Sequence, residues 1–439
     1  MSAIARYYLN EGLTVAGYDK TATPLTRQLE KEGARIHYED NVEMIPVECR
    51  KREDCLVVYT PAIPAEHSEL QWFRSQGFDI QKRAQVLGTL SRSKKALCVA
   101  GTHGKTTTSS MTAHLLHQEK DGCNAFLGGI MKNYGTNYLL AKDSPYVVIE
   151  ADEFDRSFHW LTPYATVITA TDADHLDIYG TEEAYLESFT KYTSLIVPDG
   201  YLIMHTGLKM KPAVKDSVRV WTYSRDNGDF HAENVKIGNG EIRFDLVSPL
   251  GNIKDINLGV PVAVNIENGI AAMALAQIAG VSDTMIRQGM ESFGGVDRRF
   301  DFHVRRDDMV YLSDYAHHPE EIRQSLSSIS QLYAGRRIKV IFQPHLYTRT
   351  RDFYKEFADA LSTVDDVVLV DIYPAREKPI EGITSEIIAK ELKKGVKVEL
   401  CHKDDVLTIV KRKDYDVLVT LGAGDIDNYA DDITAILND

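Results

Sequence analysis

The stretch VAGTHGKTTTSSM, residues 99–111, decides the fold of this 439-residue chain. It continues the apolar run KALCVA (residues 95–100), and a helical pattern follows it at once. A strand, a glycine-containing turn and a helix in this order surround an anion with backbone N–H groups and the positive end of the helix. Lys105 can then reach the β- and γ-phosphates of a nucleoside triphosphate, and the Thr106 hydroxyl can bind Mg²⁺. The predicted phosphate-binding residues are Gly101, Thr102, His103, Gly104, Lys105, Thr106 and Thr107.

One position departs from the usual pattern of such loops. A glycine commonly stands five residues before the Gly–Lys pair, and here that position is Val99. The alternative is a plain glycine-rich turn between a strand and a helix. A dinucleotide site is disfavoured because no GxGxxG occurs in this region. The strand before the loop and the helix after it favour the phosphate-binding interpretation.

Acidic residues and a histidine follow the next two predicted strands. The strand in YVVIEADEFD ends in Glu150, Asp152, Glu153 and Asp155. The strand VITA leads into Asp172, Asp174, His175 and Asp177. Acids at the ends of parallel strands lie at the ligand-binding edge of a sheet, and Mg²⁺ prefers oxygen ligands. We expect a magnesium site here; a solvated acidic loop and a structural histidine are the alternatives.

Two loops of the C-terminal third carry a different chemistry. SDYAHHPEE contains Asp314, Tyr315, His317 and His318, and FQPHLYTRTRD contains His345, Tyr347, Arg349 and Arg351. A zinc site from His317, His318 and His345 is conceivable, but neither cysteines nor an HExxH helix accompany them. Arginine forks bind carboxylates and phosphates through two parallel hydrogen bonds, so these loops more readily hold such groups of a substrate.

Composition excludes several classes of protein. A net charge of −14 argues against a nucleic-acid-binding surface, which needs clustered Lys and Arg. Five cysteines without CxxC spacing indicate neither a disulfide framework nor a zinc ribbon. No apolar run reaches membrane-spanning length, and no signal-type segment begins the chain. We therefore expect a cytoplasmic protein without nucleic-acid or membrane partners; the oligomeric state stays open.

Alternating strand and helix patterns predict an α/β protein of parallel sheets in three blocks, residues 1–90, 91–296 and 297–439. The pattern between Tyr201 and Val264 changes to short strands with turns, which predicts an antiparallel appendage on the second block. The first block opens with an amphipathic helix followed by a strand, Leu13 to Asp19, which we expect to be buried. The strand and Gly-rich turn that usually begin such a nucleotide-binding unit are missing from it.

Eight motifs, in order along the chain, together resemble the Mur ligases. They are GTHGKTTT, EADEFD, DADHLD, DRRFD, DYAHHPEEI, FQPHLYTRT, DIYPAREKPI and TLGAGDI. The resemblance implies a Rossmann-like UDP-sugar-binding domain, a central P-loop ATPase domain and a C-terminal Rossmann-like domain. It also implies that ATP and Mg²⁺ serve to join L-alanine to UDP-N-acetylmuramate in peptidoglycan synthesis. The alternatives are a sister ligase that attaches a preformed peptide, a non-catalytic UDP-sugar sensor and a P-loop switch protein.

The resemblance also assigns site residues. The implied catalytic residues are Lys105, Glu150, His175 and His317, and the implied metal ligands are Thr106, Glu150 and His175. The ATP site gains Asn265, Asn268 and Arg298. The implied substrate-binding residues are Asp19, Thr60, Arg83, Thr136, Asn137, Arg299, Tyr315, His317, His345 and Arg349.

Three positions depart from the family pattern. Val264 stands where a histidine is usual on the adenine side, and Leu346 stands where an arginine is common. Mur ligases begin with a strand and a Gly-rich loop that ends in Met-Ser, and Met1–Ser2 stands where that pair is expected. The resemblance therefore implies a misplaced or truncated start, with weaker binding of the sugar nucleotide.

Overall fold

The computed structural model describes residues 1–60, 63–64, 66–173, 176–238, 240–297, 299–375 and 377–439, with the side chains of residues 24, 176 and 177 left out. The strands are β1 (Ala16–Tyr18), β2 (Arg35–His37), β3 (Leu56–Tyr59), β4 (Asp79–Lys82), β5 (Lys95–Ala100), β6 (Asn124–Met131), β7 (Thr136–Leu139), β8 (Tyr146–Ala151), β9 (Ala165–Ile168), β10 (Tyr201–His205), β11 (Arg219–Tyr223), β12 (His231–Gly238), β13 (Glu241–Val247), β14 (Ile253–Asn257), β15 (Asp301–Arg305), β16 (Val310–Asp314), β17 (Ile338–Phe342), β18 (Asp366–Val370), β19 (Lys397–Cys401) and β20 (Val417–Leu421).

The α-helices alternate with these strands along most of the chain. They are α1 (Ser2–Asn10), α2 (Pro24–Lys31), α3 (Ser68–Ser75), α4 (Arg83–Ser93), α5 (Lys105–Leu116), α6 (Leu176–Tyr179), α7 (Glu182–Thr193), α8 (Val264–Ile278), α9 (Asp283–Ser292), α10 (Pro319–Leu332), α11 (Tyr347–Leu361), α12 (Glu386–Glu391), α13 (Val406–Val410) and α14 (Ala430–Asn438).

The central sheet has the strand order β11-β10-β9-β5-β8-β6-β7, and only its pairing with β7 is antiparallel. Successive side chains of β5 point to opposite faces, so Leu97 and Val99 join one core while Cys98 joins another. Helices α5 and α8 cover the first face, and α7 contributes to the second. Burial on both faces explains the uninterrupted apolar run of β5.

The predicted antiparallel appendage is smaller than expected. Strand β10, at its predicted start, pairs in parallel with β9, and β11 pairs in parallel with β10, so both strands extend the central sheet. Only β12, β13 and β14 form a separate antiparallel sheet. The prediction was wrong for β10 and β11 because short strands have the same alternating sequence pattern at the edge of a parallel sheet and in an antiparallel meander.

The C-terminal sheet has the order β15-β16-β20-β17-β18-β19, parallel throughout except for the β15–β16 pair. Helices α10 and α11 cover one face, while α13 and α14 cover the other. The core on the α10 side is continuous with that of the appendage and the central sheet, since Leu326 and Phe244 belong to one cluster. The central and C-terminal units are therefore packed directly against each other.

The first block holds two separate parallel pairs of strands, β1–β2 and β3–β4. Strand β1 is shorter than the predicted Leu13–Asp19 strand and lies half-exposed, so the expectation of a fully buried strand was wrong. The opening helix is confirmed as α1, with Ala3 and Ile4 buried. Tyr7 of α1 lies edge-on to Phe126 of the central sheet, with ring centres 5.9 Å apart.

Candidate active site

The phosphate loop joins the end of β5 to the start of α5, as predicted. Gly101 (φ 136°) and Gly104 (φ 80°) both lie in the backbone region that favours glycine. A side chain at Gly104 would bring its Cβ to 2.8 Å from Oδ1 of Asn268, so the loop approaches α8 closely. His103 is exposed, and Thr107 lies half-buried in the first turn of α5. The loop therefore presents the start of α5 to a ligand.

Lys105 points back across this loop. Its ammonium donates to the carbonyl oxygen of Gly101 at 2.5 Å, to that of Thr102 at 3.3 Å and to Oε1 of Glu153 at 2.8 Å. The Thr102 hydroxyl in turn donates to the carbonyl oxygen of Asp172 at 2.8 Å. Strand-end residues of β8 and β9 thus hold the loop on either side.

The predicted metal ligands Thr106 and Glu150 lie together. The Thr106 hydroxyl donates to Oε1 of Glu150 at 3.0 Å, and the backbone N–H of Gly128 donates to Oε2 at 2.9 Å. A hydroxyl and a carboxylate are the hard oxygen donors that Mg²⁺ accepts. The third predicted ligand, His175, lies outside the described residues, as does Asp174.

The two asparagines predicted for the ATP site are buried at the start of α8. Asn268 accepts a hydrogen bond from the Thr108 hydroxyl at 3.2 Å and donates to Asn265 at 3.0 Å. Asn265 donates to the carbonyl oxygen of Val260 at 3.1 Å. These side chains therefore join α8 to α5. Val264, in the place of the usual histidine, is 40% exposed, and Arg298 lies outside the described residues.

Five predicted substrate residues of the C-terminal unit form one cluster. Arg349 approaches Nδ1 of His345 at 3.3 Å, and the rings of His345 and His317 are 6.0 Å apart. His317 lies 5.3 Å from the ring of Tyr315. The guanidinium of Arg299 lies 5.8 Å from the centre of the Tyr315 ring. The two loops therefore meet.

Burial and neighbouring charge keep this cluster from gaining protons. Burial, followed by the charge of Arg349, lowers the pKa of His345 to about 4. Burial also lowers the pKa of His317. Both imidazoles are therefore neutral near pH 7, which leaves Arg299 and Arg349 as the cluster's fixed positive charges. The conceivable zinc site does not form among the described residues, and His318 lies instead 5.2 Å from the ring of Phe353.

Glu321 is a site residue that the motif analysis did not single out. Its Oε2 accepts hydrogen bonds from the backbone N–H groups of His317 at 3.0 Å and His318 at 3.1 Å. It also interacts electrostatically with His103 of the phosphate loop, which places the C-terminal cluster beside that loop. A glutamate at the third position of α10 is a capping signal that could have identified it.

Leu346 adopts an unusual backbone conformation, with φ 73° and ψ 135°, directly before α11. Non-glycine residues rarely occupy this region, and such conformations cluster at functional sites. Its carbonyl oxygen accepts from the Thr350 hydroxyl at 2.8 Å, and its N–H donates to Tyr373 at 2.9 Å. Residue 346, where the family commonly has an arginine, is therefore fixed by hydrogen bonds of its own backbone N–H and C=O groups.

The predicted UDP-side residues divide between three places. Thr60 and Arg83 line a cavity between the first block and the central sheet, and Glu150 lines the same cavity. Thr136 and Asn137 contact α1 instead, through Arg6 at 3.1 Å and Ser2 at 3.4 Å. Asp19 follows β1 and accepts a hydrogen bond from the Thr21 N–H at 3.1 Å. The cavity thus joins Thr60 and Arg83 to the predicted metal ligand Glu150.

Lys82 was not predicted, although it also lines this cavity. Its ammonium contacts Oδ2 of Asp155 at 2.6 Å, which joins the first block to the loop after β8. Asp155 (φ 51°) and Arg156 (φ 55°) are both in the left-handed region. The residue after Lys82, Arg83, was assigned by resemblance alone. No local sequence pattern identifies Lys82 as a site residue.

Models of known protein families match nearly the whole chain. The Mur ligase family catalytic domain matches residues 1–95, the Mur ligase middle domain residues 99–276 and the Mur ligase glutamate ligase domain residues 298–424. The UDP-N-acetylmuramate–L-alanine ligase of Phocaeicola vulgatus is 62% identical over 438 residues, covering 100% of this chain and 96% of that protein. The corresponding ligase of Parabacteroides distasonis is 55% identical, covering 100% and 95%.

Solved structures agree with these matches. The UDP-N-acetylmuramate–alanine ligase of Thermotoga maritima superposes with a TM-score of 0.82 at 27% identity, covering 100% of this chain and 96% of that one. A murein peptide ligase from Psychrobacter arcticus shares the fold, with a TM-score of 0.65 at 21% identity and the same coverage. The expected three-domain α/β architecture with its parallel sheets is confirmed. On its sequence, its fold and the phosphate loop at its centre, this chain belongs to the Mur ligase family.

Proposed function

We propose that this chain is an ATP-dependent ligase that joins L-alanine to the carboxylate of UDP-N-acetylmuramate, with ADP and phosphate as the other products. The single observation that carries the proposal is the 62% identity, over the whole chain, to a ligase named for these two substrates. The geometry supports it, because Glu150 lines the cavity beside Arg83 and also accepts a hydrogen bond from Thr106 of the loop. On the other side, Glu321 of the His317 cluster interacts electrostatically with His103 of the loop.

The chemistry requires that a carboxylate be activated before an amine can attack it. Transfer of the γ-phosphoryl group of ATP to the carboxylate gives an acyl phosphate, from which phosphate can leave. The amine of alanine then attacks the acyl carbon, phosphate departs and the nitrogen loses a proton. In this proposal Lys105, whose ammonium lies across the loop, and the backbone N–H groups of the loop stabilise the charge on the transferred group.

Thr106 and Glu150 would hold Mg²⁺, because their oxygens lie 3.0 Å apart at the start of α5. When bound, the ion neutralises the phosphate charge that develops during transfer. We place His175 as its third ligand, and Asn265, Asn268 and Arg298 on the ATP side.

Arg299, Tyr315, His317, His345 and Arg349 form the amino-acid end in this proposal. Neutral His317 and His345 cannot repel the ammonium of an incoming amino acid, whereas Arg349 can bind its carboxylate. On the other side, the UDP-sugar is bound by Asp19, Thr60, Arg83, Thr136 and Asn137.

We propose domain boundaries after residues 90 and 296, and a cytoplasmic location where ATP is available. Within the described residues, every helix is too short or too polar to cross a bilayer.

Phosphate release with single components left out tests this proposal. We expect release only when ATP, Mg²⁺, UDP-N-acetylmuramate and L-alanine are all present. A preformed peptide replacing alanine with equal efficiency would instead indicate the sister ligase. Nucleotide binding without any turnover would indicate a sensor.

A further inference from the structure

The ammonium group of Lys105 has no spare donor in this structure. It carries three N–H bonds, and its three contacts are the carbonyl oxygens of Gly101 and Thr102 and Oε1 of Glu153. A triphosphate that enters the loop must therefore replace one of these acceptors. The position of the Lys105 ammonium during phosphoryl transfer therefore depends on which of the three acceptors the phosphate displaces.

Glu153 is the acceptor that is hardest to replace. It is 1% exposed, and Oε2 has no hydrogen-bond partner among the described atoms. Its backbone carbonyl accepts from the Tyr179 hydroxyl at 2.5 Å and from the N–H of Arg156 at 2.9 Å, which fixes the residue at the end of β8. Loss of Lys105 would leave a buried carboxylate without a counter-charge, a costly state.

The two carbonyl oxygens are weaker competitors. They are neutral, and each is one of several groups in a loop that already faces the ligand. The lysine bonds to the carbonyl oxygens have one charged partner, whereas its bonds to Glu153 and to phosphate have two, so phosphate oxygens should displace a carbonyl before they displace Glu153. The lysine then turns about a fixed contact instead of moving freely on its four-carbon stem.

We propose that Glu153 is a positioning residue that holds the Lys105 ammonium in place for phosphoryl transfer. This inference rests on the proposed ligase function. Glu153 touches no reacting atom in it and acts through Lys105 alone. Because the phosphates replace a carbonyl oxygen and not Glu153, the loss of Glu153 should slow the chemical step without weakening nucleotide binding.

The test is Glu153→Gln, assayed by phosphate release with all substrates and by calorimetric binding of MgADP. We expect kcat to fall by about tenfold or more. We expect no rise in KM for ATP and no loss of affinity for MgADP. Glu182→Gln is the matched control, because Glu182 pairs with Lys209 at 2.9 Å on the exposed surface of the same domain. This control should retain wild-type kcat.

Two results would overturn the inference: a kcat for Glu153→Gln within twofold of the wild type, or a loss of MgADP affinity that accounts for the loss of activity. Wild-type protein without turnover would refute the proposed function instead, so the two failures can be told apart.

A double substitution separates positioning from a purely structural role. Lys105→Met alone should lower Tm, since it leaves Glu153 buried and unpaired, and adding Glu153→Gln should restore part of that loss. In the Lys105→Met background, Glu153→Gln should not lower the residual turnover further. An equal loss in both backgrounds would show that Glu153 acts without Lys105. If Glu153→Gln alone folds poorly, the comparison of Lys105→Met with the double variant still tests the inference, because the double variant removes both charges.

Discussion

Gly128→Ala should weaken metal binding by displacing Glu150. A Cβ at Gly128 would lie 2.5 Å from Oε2 of Glu150 and 2.8 Å from Oε1, so the carboxylate must move. The φ angle of Gly128 is not positive, and alanine is therefore compatible with the backbone itself. The displaced carboxylate loses its 2.9 Å bond from the Gly128 N–H, a charged hydrogen bond worth about 1.5–3 kcal/mol. Its contact with the Thr106 hydroxyl is also disturbed.

The expected result is a rise of roughly 10- to 100-fold in the Mg²⁺ concentration needed for half-maximal phosphate release, as is usual when a ligand loses its support. The free energy of unfolding should fall by about 1–3 kcal/mol from the steric overlap. Gly17→Ala is the matched control, since nothing lies within 4 Å of the added methyl. An unchanged Mg²⁺ requirement in folded Gly128→Ala protein would refute the role given to Glu150.

Three further predictions concern the phosphate loop and its surroundings. Lys105→Ala should reduce phosphate release to a small residual rate while the circular-dichroism spectrum stays native; near-normal turnover would show that the loop is not catalytic. Burial lowers the pKa of His114 to about 4, so between pH 6.5 and 4 the unfolded chain binds a proton that the folded chain does not. The free energy of unfolding should therefore drop by up to roughly 3 kcal/mol as pH falls through this range, and His114→Gln should reduce that slope in urea titrations; an unchanged slope contradicts the assignment. Lys82→Met removes the ion pair with Asp155 beside the cavity, and it should raise KM for UDP-N-acetylmuramate but not for ATP; equal effects on both would contradict the placement of the sugar nucleotide.

The sequence alone predicted the centre of the site well. An apolar strand that runs into a Gly-Lys-Thr turn admits few structures, and β5, the loop and α5 follow it residue for residue. The strand-end pattern also placed the acids after β8 beside the loop, because parallel strands bring their carboxyl ends to one edge of the sheet, and the family resemblance named Glu150 among them. These features depend on local chemistry and on a general rule of topology.

Features set by tertiary contacts could not be predicted in the same way. The direction of β10 depends on its neighbour β9, and that of β11 on β10, which the strands' own sequences do not encode. The choice of Glu153 as the partner of Lys105 depends on the path of the loop after β8, where Asp155 and Arg156 both adopt positive φ. Asp155 tolerates the left-handed region, but Arg156 seldom adopts it, so the pair gave no clear turn signal for that path.

Transfer of an oxygen isotope tests the central claim most directly. UDP-N-acetylmuramate labelled with ¹⁸O in its carboxylate is incubated with the protein, ATP, Mg²⁺ and L-alanine, and the released phosphate is analysed by mass spectrometry. An acyl phosphate carries one carboxylate oxygen into phosphate, so the account predicts one ¹⁸O atom in each phosphate formed. Phosphate without the label, released during amide formation, would contradict it.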